Sequence, residues 1–388
     1  MPLVRPRRSD AIPGAARGAV LGAALCALQL SAANAGAAAP DPGMLQRAGE
    51  IVARYSAAAP AWDGPSSGPP GLSGKTLVVV ADNLRNGGVI GVAQGVREAA
   101  RELGWKVKLI NAFGQDGGRA AALAAAVAAR PDAVVLAGLP AQRFQADLAP
   151  FAAGGIPVVG WHAGPELGAI PDTPVAMNIT TEPLDVARAA ASVAIVDGQG
   201  RAGVVIFSDS RIGIAWAKAQ AMAEVVQQCA TCRVLEVVDL PLASPAEQVA
   251  AAGRALLARH GAGWTHALAI NDLYFDHLAP MFAALPEGAP TPSLVSAGDG
   301  SASAFMRIRA GLFQTATVAE PLLMQGWQAV DEVNRLLSHQ PPSLYFGRPR
   351  LFTAANLNTD GGPRLRFDPD NGYRDAYRRI WRGGRGAP

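Results

Sequence analysis

The sequence predicts an α/β protein built as two doubly wound parallel-sheet lobes. From Lys75 onward, short apolar runs rich in β-branched residues alternate with amphipathic runs, the pattern of repeated strand–helix–strand units. Ten such strand-like runs occur, more than one small sheet holds and suited to two lobes of about five each. A length of 388 residues, half of them hydrophobic, provides for two substantial cores.

The elements follow in order. Residues 1–35 carry Arg5, Arg7, Arg8 and Arg17, then an apolar run from Gly18 to Leu30, and close on Ala33-Asn34-Ala35. That order of basic, apolar and small residues predicts a signal peptide cleaved near Ala35. The apolar run is shorter than the roughly 20 residues a spanning helix needs. Cys26 is preceded by Leu25, which does not suit lipoprotein cleavage. Residues 36–74, rich in Pro, Gly, Ala and Ser, predict a tether with one short helix over Met44–Tyr55.

The strand candidates are Thr76–Ala81, Val107–Ile110, Ala133–Ala137, Pro157–Trp161 and Val175–Ile179, then Gly203–Phe207, Val234–Val238, Ala267–Ile270, Leu294–Ala297 and Thr315–Val318. Helices fill the gaps. Ser244-Pro245-Ala246-Glu247 predicts one helix start, with Ser244 as cap and Pro245 at the first helical position. Trp105 and Trp264 fall at the starts of strand units and are expected to pack. Residues 361–388 form a tail expected to pack through Tyr373, Tyr377 and Trp381.

Without the leader, the remaining cysteines are Cys229 and Cys232 in Cys-Ala-Thr-Cys. In an exported chain they are expected to form a disulfide. A redox dithiol is the alternative, but such pairs sit at helix N-termini, and this one follows a helix-like run.

Ligands of doubly wound sheets bind beyond the carboxyl ends of the strands. The residues there are Asp82, Asn83 and Asn86; Trp161 and His162; Asn178; Ser208, Asp209 and Arg211; Asn271 and Asp272; Asp299; and Glu320. Trp216 and Tyr274 are nearby aromatic surfaces. Carboxylates and amides bond vicinal hydroxyls while flat rings cover C–H faces, so the set suits a neutral sugar or polyol. Each Asp or Asn is equally consistent with turn or capping duty, and His162 with a structural hydrogen bond. The carboxylates Asp82, Asp209, Asp272, Asp299 and Glu320 equally admit a cationic solute.

Other chemistry finds no support. The formal charge is +3, all of it in the first 35 residues, so nucleic acid is not an expected partner. Phosphate-loop and zinc-helix motifs are missing from the sequence, and no strand-like run is followed by a Gly-x-Gly-x-x-Gly dinucleotide loop. The five histidines show no metal-ligand spacing. The expectation is therefore no catalytic residue, no metal and no cofactor.

Val78-Val79-Val80 leading to Asn86, Gly155-Ile156-Pro157-Val158-Val159, Ala269-Ile270-Asn271-Asp272, Gly298-Asp299-Gly300 and Thr315-Ala316-Thr317-Val318-Ala319-Glu320 carry a resemblance over residues 75–358. The chain resembles the type I periplasmic solute-binding proteins of ABC importers, the ribose-binding-like group that also supplies the effector cores of LacI-type repressors. The resemblance implies an N-terminal lobe of residues 75–179 with 321–346 and a C-terminal lobe of 180–319 with 347–360. Crossings would lie near 178–182, 319–321 and 346–351, and the lobes would close by hinge motion. It implies a periplasmic monomer that captures a sugar or polar metabolite for a membrane permease, or alternatively for a chemoreceptor or sensor kinase. Asp82, Asn86, His162, Asn271, Asp299 and Glu320 would contact ligand, with Glu320 at a crossing. Two departures stand out. Gly87-Gly88-Val89 replaces the stacking aromatics of pentose binders, and His162-Ala163 replaces their Asp-Arg pair. A repressor would need an N-terminal helix-turn-helix, where this chain has its leader-like segment.

Overall fold

The computed structural model describes residues 39–383. The leader-like segment 1–35, with Cys26, lies outside the described residues. Among those described, no helix is long and apolar enough to cross a membrane.

The first sheet holds β1 (Thr76–Ala81), β2 (Lys106–Asn111), β3 (Ala133–Ala137), β4 (Val158–Trp161) and β5 (Val175–Ile179). It is parallel throughout, in the order β2-β1-β3-β4-β5. The second holds β6 (Gly203–Ser208), β7 (Arg233–Asp239), β8 (His266–Ala269), β9 (Ser293–Ser296), β10 (Gln314–Ala319) and β11 (Arg350–Thr353), ordered β11-β10-β9-β8-β6-β7. Each of the ten expected strands begins and ends within one residue of its expected bounds. The β-branched runs of the inner strands are buried by helices on both faces, which makes their pattern continuous rather than alternating, while the edge strands β2 and β7 are part-exposed. β11 was not expected. It pairs antiparallel with β10, and four residues after a Pro-rich stretch give an edge strand little sequence signal.

The helices are α1 (Pro42–Ser56), α2 (Gly87–Glu102), α3 (Asp116–Ala128), α4 (Gln145–Ala153), α5 (Pro183–Asp197), α6 (Gly213–Gln227), α7 (Ala246–His260), α8 (Leu273–Ala283), α9 (Ala302–Ala310), α10 (Leu322–Leu337) and α11 (Tyr373–Trp381). The chain passes between the sheets three times. It crosses from β5 to α5, from β10 to α10, which packs on α2 and β4, and from α10 back to β11. One expected start is corrected: Pro245 takes the cap position of α7, and the Ser244 hydroxyl has no hydrogen-bond partner.

The expected tether is docked. The Leu72 N–H donates to Asn334 Oδ1 at 2.9 Å, and Arg335 Nη2 donates to the Ser67 carbonyl at 2.6 Å. α11 closes on the same flank of α10, where the Trp381 indole N–H donates to Asp331 at 2.8 Å and its ring stacks on Trp327. Composition concealed this docking because backbone carbonyls make most of the bonds. The disulfide is present, joining Cys229 and Cys232 between the end of α6 and the start of β7. Both cysteines are buried, away from any helix N-terminus, so the pair acts as a clip on the turn. Trp105 and Trp264 are core residues.

Candidate functional site

The carboxyl ends of both sheets face one cavity between the lobes. Its polar lining comes from Asp82, Asn86, His162, Lys218, Asn271 and Asp299. Each position follows from a local feature of the chain.

Asn86 and Asn271 terminate strand units and begin helices. Asn86 Oδ1 accepts from the Gly88 N–H at 2.9 Å, capping α2. Asn271 Oδ1 accepts from the Leu273 N–H at 3.0 Å at the start of α8. The cap bond of Asn86 and the turn bond of Asn271 thus fix both amides at the cleft. Asn271 Nδ2 donates to Asp299 Oδ2 at 2.7 Å and to Asn86 Oδ1 at 3.4 Å, the latter bond bridging the lobes. Arg85 to the Ser244 carbonyl and Arg143 to the Arg211 carbonyl, both 3.3 Å, join the lobes at the rim. The lobes are closed over the cavity.

A second group sits deeper. His162 adopts a left-handed backbone, φ 49°, a conformation open to His at modest cost, and its ring stacks on Trp161 with centroids 4.0 Å apart. His162 Nε2 lies 3.0 Å from Glu320 Oε1. Glu320 is fully buried and also receives Gln325 Nε2 at 2.9 Å and Lys218 Nζ at 3.5 Å. Gln325 in turn accepts from the Trp161 indole N–H at 2.9 Å. Burial alone would raise the Glu320 carboxyl. The positive charges of His162 and Lys218 and the bonds from His162 and Gln325 outweigh it and hold the carboxyl well below the usual range. Asp299 goes the other way. Burial first, then repulsion from Glu320 and Asp272, raises it to about 6, against the pull of Lys218 and His162.

The remaining carboxylates are committed. Asp82 takes a bidentate pair from Arg119, at 2.6 and 3.1 Å, and burial still raises its pKa. Asp209 is held by Arg211 at 2.8 and 2.6 Å and by the Leu242 N–H at 2.8 Å. Asp272 accepts from the Gly300 and Ser301 N–H groups, Gln314 and Thr317, so it braces the loop carrying Asp299. Among the expected contacts, Asp209, Arg211, Asp272, Asn83 and Trp216 do not border the cavity. Asn83 braces the turn to Arg85 at 3.0 Å. Trp216 faces outward, 37% exposed. Helical geometry explains this last difference, since residues two apart on α6 point to different faces. Glu320 stands behind His162 and Lys218 as their counter-charge rather than on the cavity wall.

Lys218 went unnoticed in the sequence. It is one of four lysines in the chain and lies within the apolar run Ile214-Ala215-Trp216-Ala217-Lys218-Ala219. A lysine in such a run of α6, 3% exposed, needs a buried partner, and Glu320 supplies it. His162, Asp299 and Glu320 also bring donor atoms within 4.8 Å of one another, a spacing that can hold a cation. The Lys218 ammonium already places a positive charge against this group and opposes a second.

The chain matches the periplasmic binding protein domain family over residues 77–341. No curated protein matches it. The fold is similar to a sugar ABC transporter protein from Yersinia enterocolitica at 14% identity and TM-score 0.66, covering 87% of this chain and 98% of that one. It is similar to GanP, a glucose-galactose binding protein from Geobacillus stearothermophilus, at 18% identity and TM-score 0.64, covering 74% and 100%. It is also similar to an ABC transporter solute-binding protein from Agrobacterium vitis with bound allitol, at 19% identity and TM-score 0.63, covering 74% and 98%. With its two parallel-sheet lobes and the interlobe cavity at their strand ends, the chain belongs to the periplasmic binding protein family.

Proposed function

We propose that this protein captures a neutral sugar or sugar-like polyol between its lobes in the periplasm and delivers it to an ABC importer. The carrying observation is the charge pairing of the cleft. Asp82 is matched by Arg119, and Glu320 by Lys218 and His162, leaving amide and ammonium donors to meet hydroxyl oxygens. A cationic solute would meet Asp82 and Glu320 already paired and Lys218 opposing it. The sugar ligands named for similar structures support the reading. Capture and release need only lobe motion, so no reaction is assigned.

The test is a thermal-melt screen of the protein lacking residues 1–35, unfolded and refolded to strip carried ligand, against sugars, polyols, amino acids and polyamines. A ligand at a thousandfold excess over its Kd adds about 4 kcal/mol of stability. Stabilisation by sugars or polyols is the expected result. Stabilisation by polyamines alone overturns the reading.

A further inference from the structure

Resting on that reading, we infer that the bound sugar carries a deoxygenated, methyl-bearing end, seated against β6 and β7. The cavity is divided along the second sheet. At β9 and β8 the strand ends contribute Asp299 and Asn271. Beyond β6 and β7 they contribute Ile212, Ile214, Ala215 and Leu242. From the other lobe, Val89 of α2 adds an aliphatic wall.

A fully hydroxylated sugar needs partners along its whole length, because a buried hydroxyl without one keeps its desolvation cost. At the β6–β7 end the side chains offer none. The N–H groups of Ile212 and Leu242 are committed to Asp209, the first to its carbonyl at 3.1 Å and the second to its carboxylate at 2.8 Å, so the polar groups left at this end are the backbone N–H groups of the first turn of α6, which no side chain caps. Nor do aromatic faces replace them. Trp161 has His162 stacked on its ring, and Trp216 lies off the cavity. Branched aliphatic side chains at one end and amide, ammonium and carboxyl groups at the other match a ligand with hydroxyls at one end and a methyl group at the other.

The test is calorimetry on the refolded protein with matched pairs: D-fucose against D-galactose, L-rhamnose against L-mannose, L-fucose against L-galactose, and 5-deoxy-D-ribose against D-ribose. The expected result is that at least one deoxy sugar binds about 10- to 100-fold more tightly than its hydroxylated partner, the range an apolar pocket gives against an added hydroxyl. Ile214→Thr and Leu242→Asn, each checked for an unchanged melt without ligand, should shrink that ratio toward one. Equal or tighter binding of the hydroxylated partner in every pair that binds overturns this inference and leaves the sugar reading intact; the uncapped first turn of α6 would then be serving the hydroxyl. Binding of amino acids or polyamines with no sugar binding overturns both.

Discussion

His162 Nε2 and Glu320 Oε1 lie 3.0 Å apart although 158 residues separate them in the chain. One follows β4 of the first sheet, and the other lies on the crossing between β10 and α10. Lys218, from α6 beside the second sheet, reaches the same carboxylate. A single buried anion therefore ties both lobes to a crossing, and closure brings His162 and Lys218 together on it.

Glu320→Gln should expose this dependence. The substitution keeps the shape and removes the charge, leaving Lys218 buried without its counter-ion. Breaking a buried pair by removing one partner costs about 3 to 5 kcal/mol. Urea denaturation of the ligand-free variant should give a loss of that order. A loss below about 1 kcal/mol would mean the network contributes nothing to the closed form.

Asp299 makes stability depend on pH with a defined sign. Its folded pKa, about 6, lies above the ordinary carboxyl value of 3.8, so the folded state binds more protons between those values, and stability falls as pH rises through that window. Glu320 acts oppositely: its folded carboxyl is lowered, so its contribution is present above about pH 4.5 and lost below. Asp299→Asn should remove the first effect and, by lifting the repulsion on Glu320, keep the second. Its urea midpoints between pH 4 and 6.5 should fall less steeply than those of the wild type, and at pH 7 it should be more stable by on the order of 1 to 3 kcal/mol. Parallel profiles would contradict the assignment.

Asn86 and Asn271 can be tested as a pair. Asn271→Ala should weaken sugar binding by about 1 to 3 kcal/mol through lost and orphaned hydrogen bonds. Because its Nδ2 reaches Asn86 Oδ1 at 3.4 Å across the lobes, the double variant should lose less than the sum of the singles. Strict additivity in calorimetry would remove the bridge.

How much of this was legible in the sequence differs by kind of residue. Strand segments such as Val78-Val79-Val80 announce themselves because burial on both faces demands apolar β-branched residues, and the helix cap Asn86 and the turn residue Asn271 mark the cleft edge at the same time. Which polar residue points inward was not legible. Asp82, Asp209 and Asp272 all follow strands, yet Asp82 is covered by Arg119 from α3, Asp209 by its near neighbour Arg211 and the Leu242 N–H, and Asp272 by loop N–H groups. The docked segment over residues 57–74 was hidden for a related reason, since its partners Asn334 and Arg335 lie more than 260 residues away in the chain.

Replacing Cys229 and Cys232 with Ser tests the clip. In the chain-entropy view, a loop this short contributes about 2 kcal/mol, so the melting temperature should fall. Sugar affinity should not, because the pair sits at the far end of α6 from the cavity. A matched fall in affinity would mean that the clip positions α6, and with it Lys218.

Lys218→Met separates charge from packing at the same helix. Methionine keeps an unbranched apolar stem in α6 and loses the ammonium, so Glu320 retains His162 and Gln325 as its partners. Two consequences follow from one change. The Glu320 carboxyl should titrate higher than in the wild type, so acid unfolding should begin at higher pH. Sugar binding should weaken by tenfold or more, the loss of one charge-assisted hydrogen bond. Lys218→Arg should restore the acid stability, because the charge returns, but not full affinity, because the planar guanidinium is larger and differently aimed. If Lys218→Met binds sugar as the wild type does, the ammonium serves Glu320 alone, and the cleft recognises its ligand through Asn86, Asn271, Asp299 and His162.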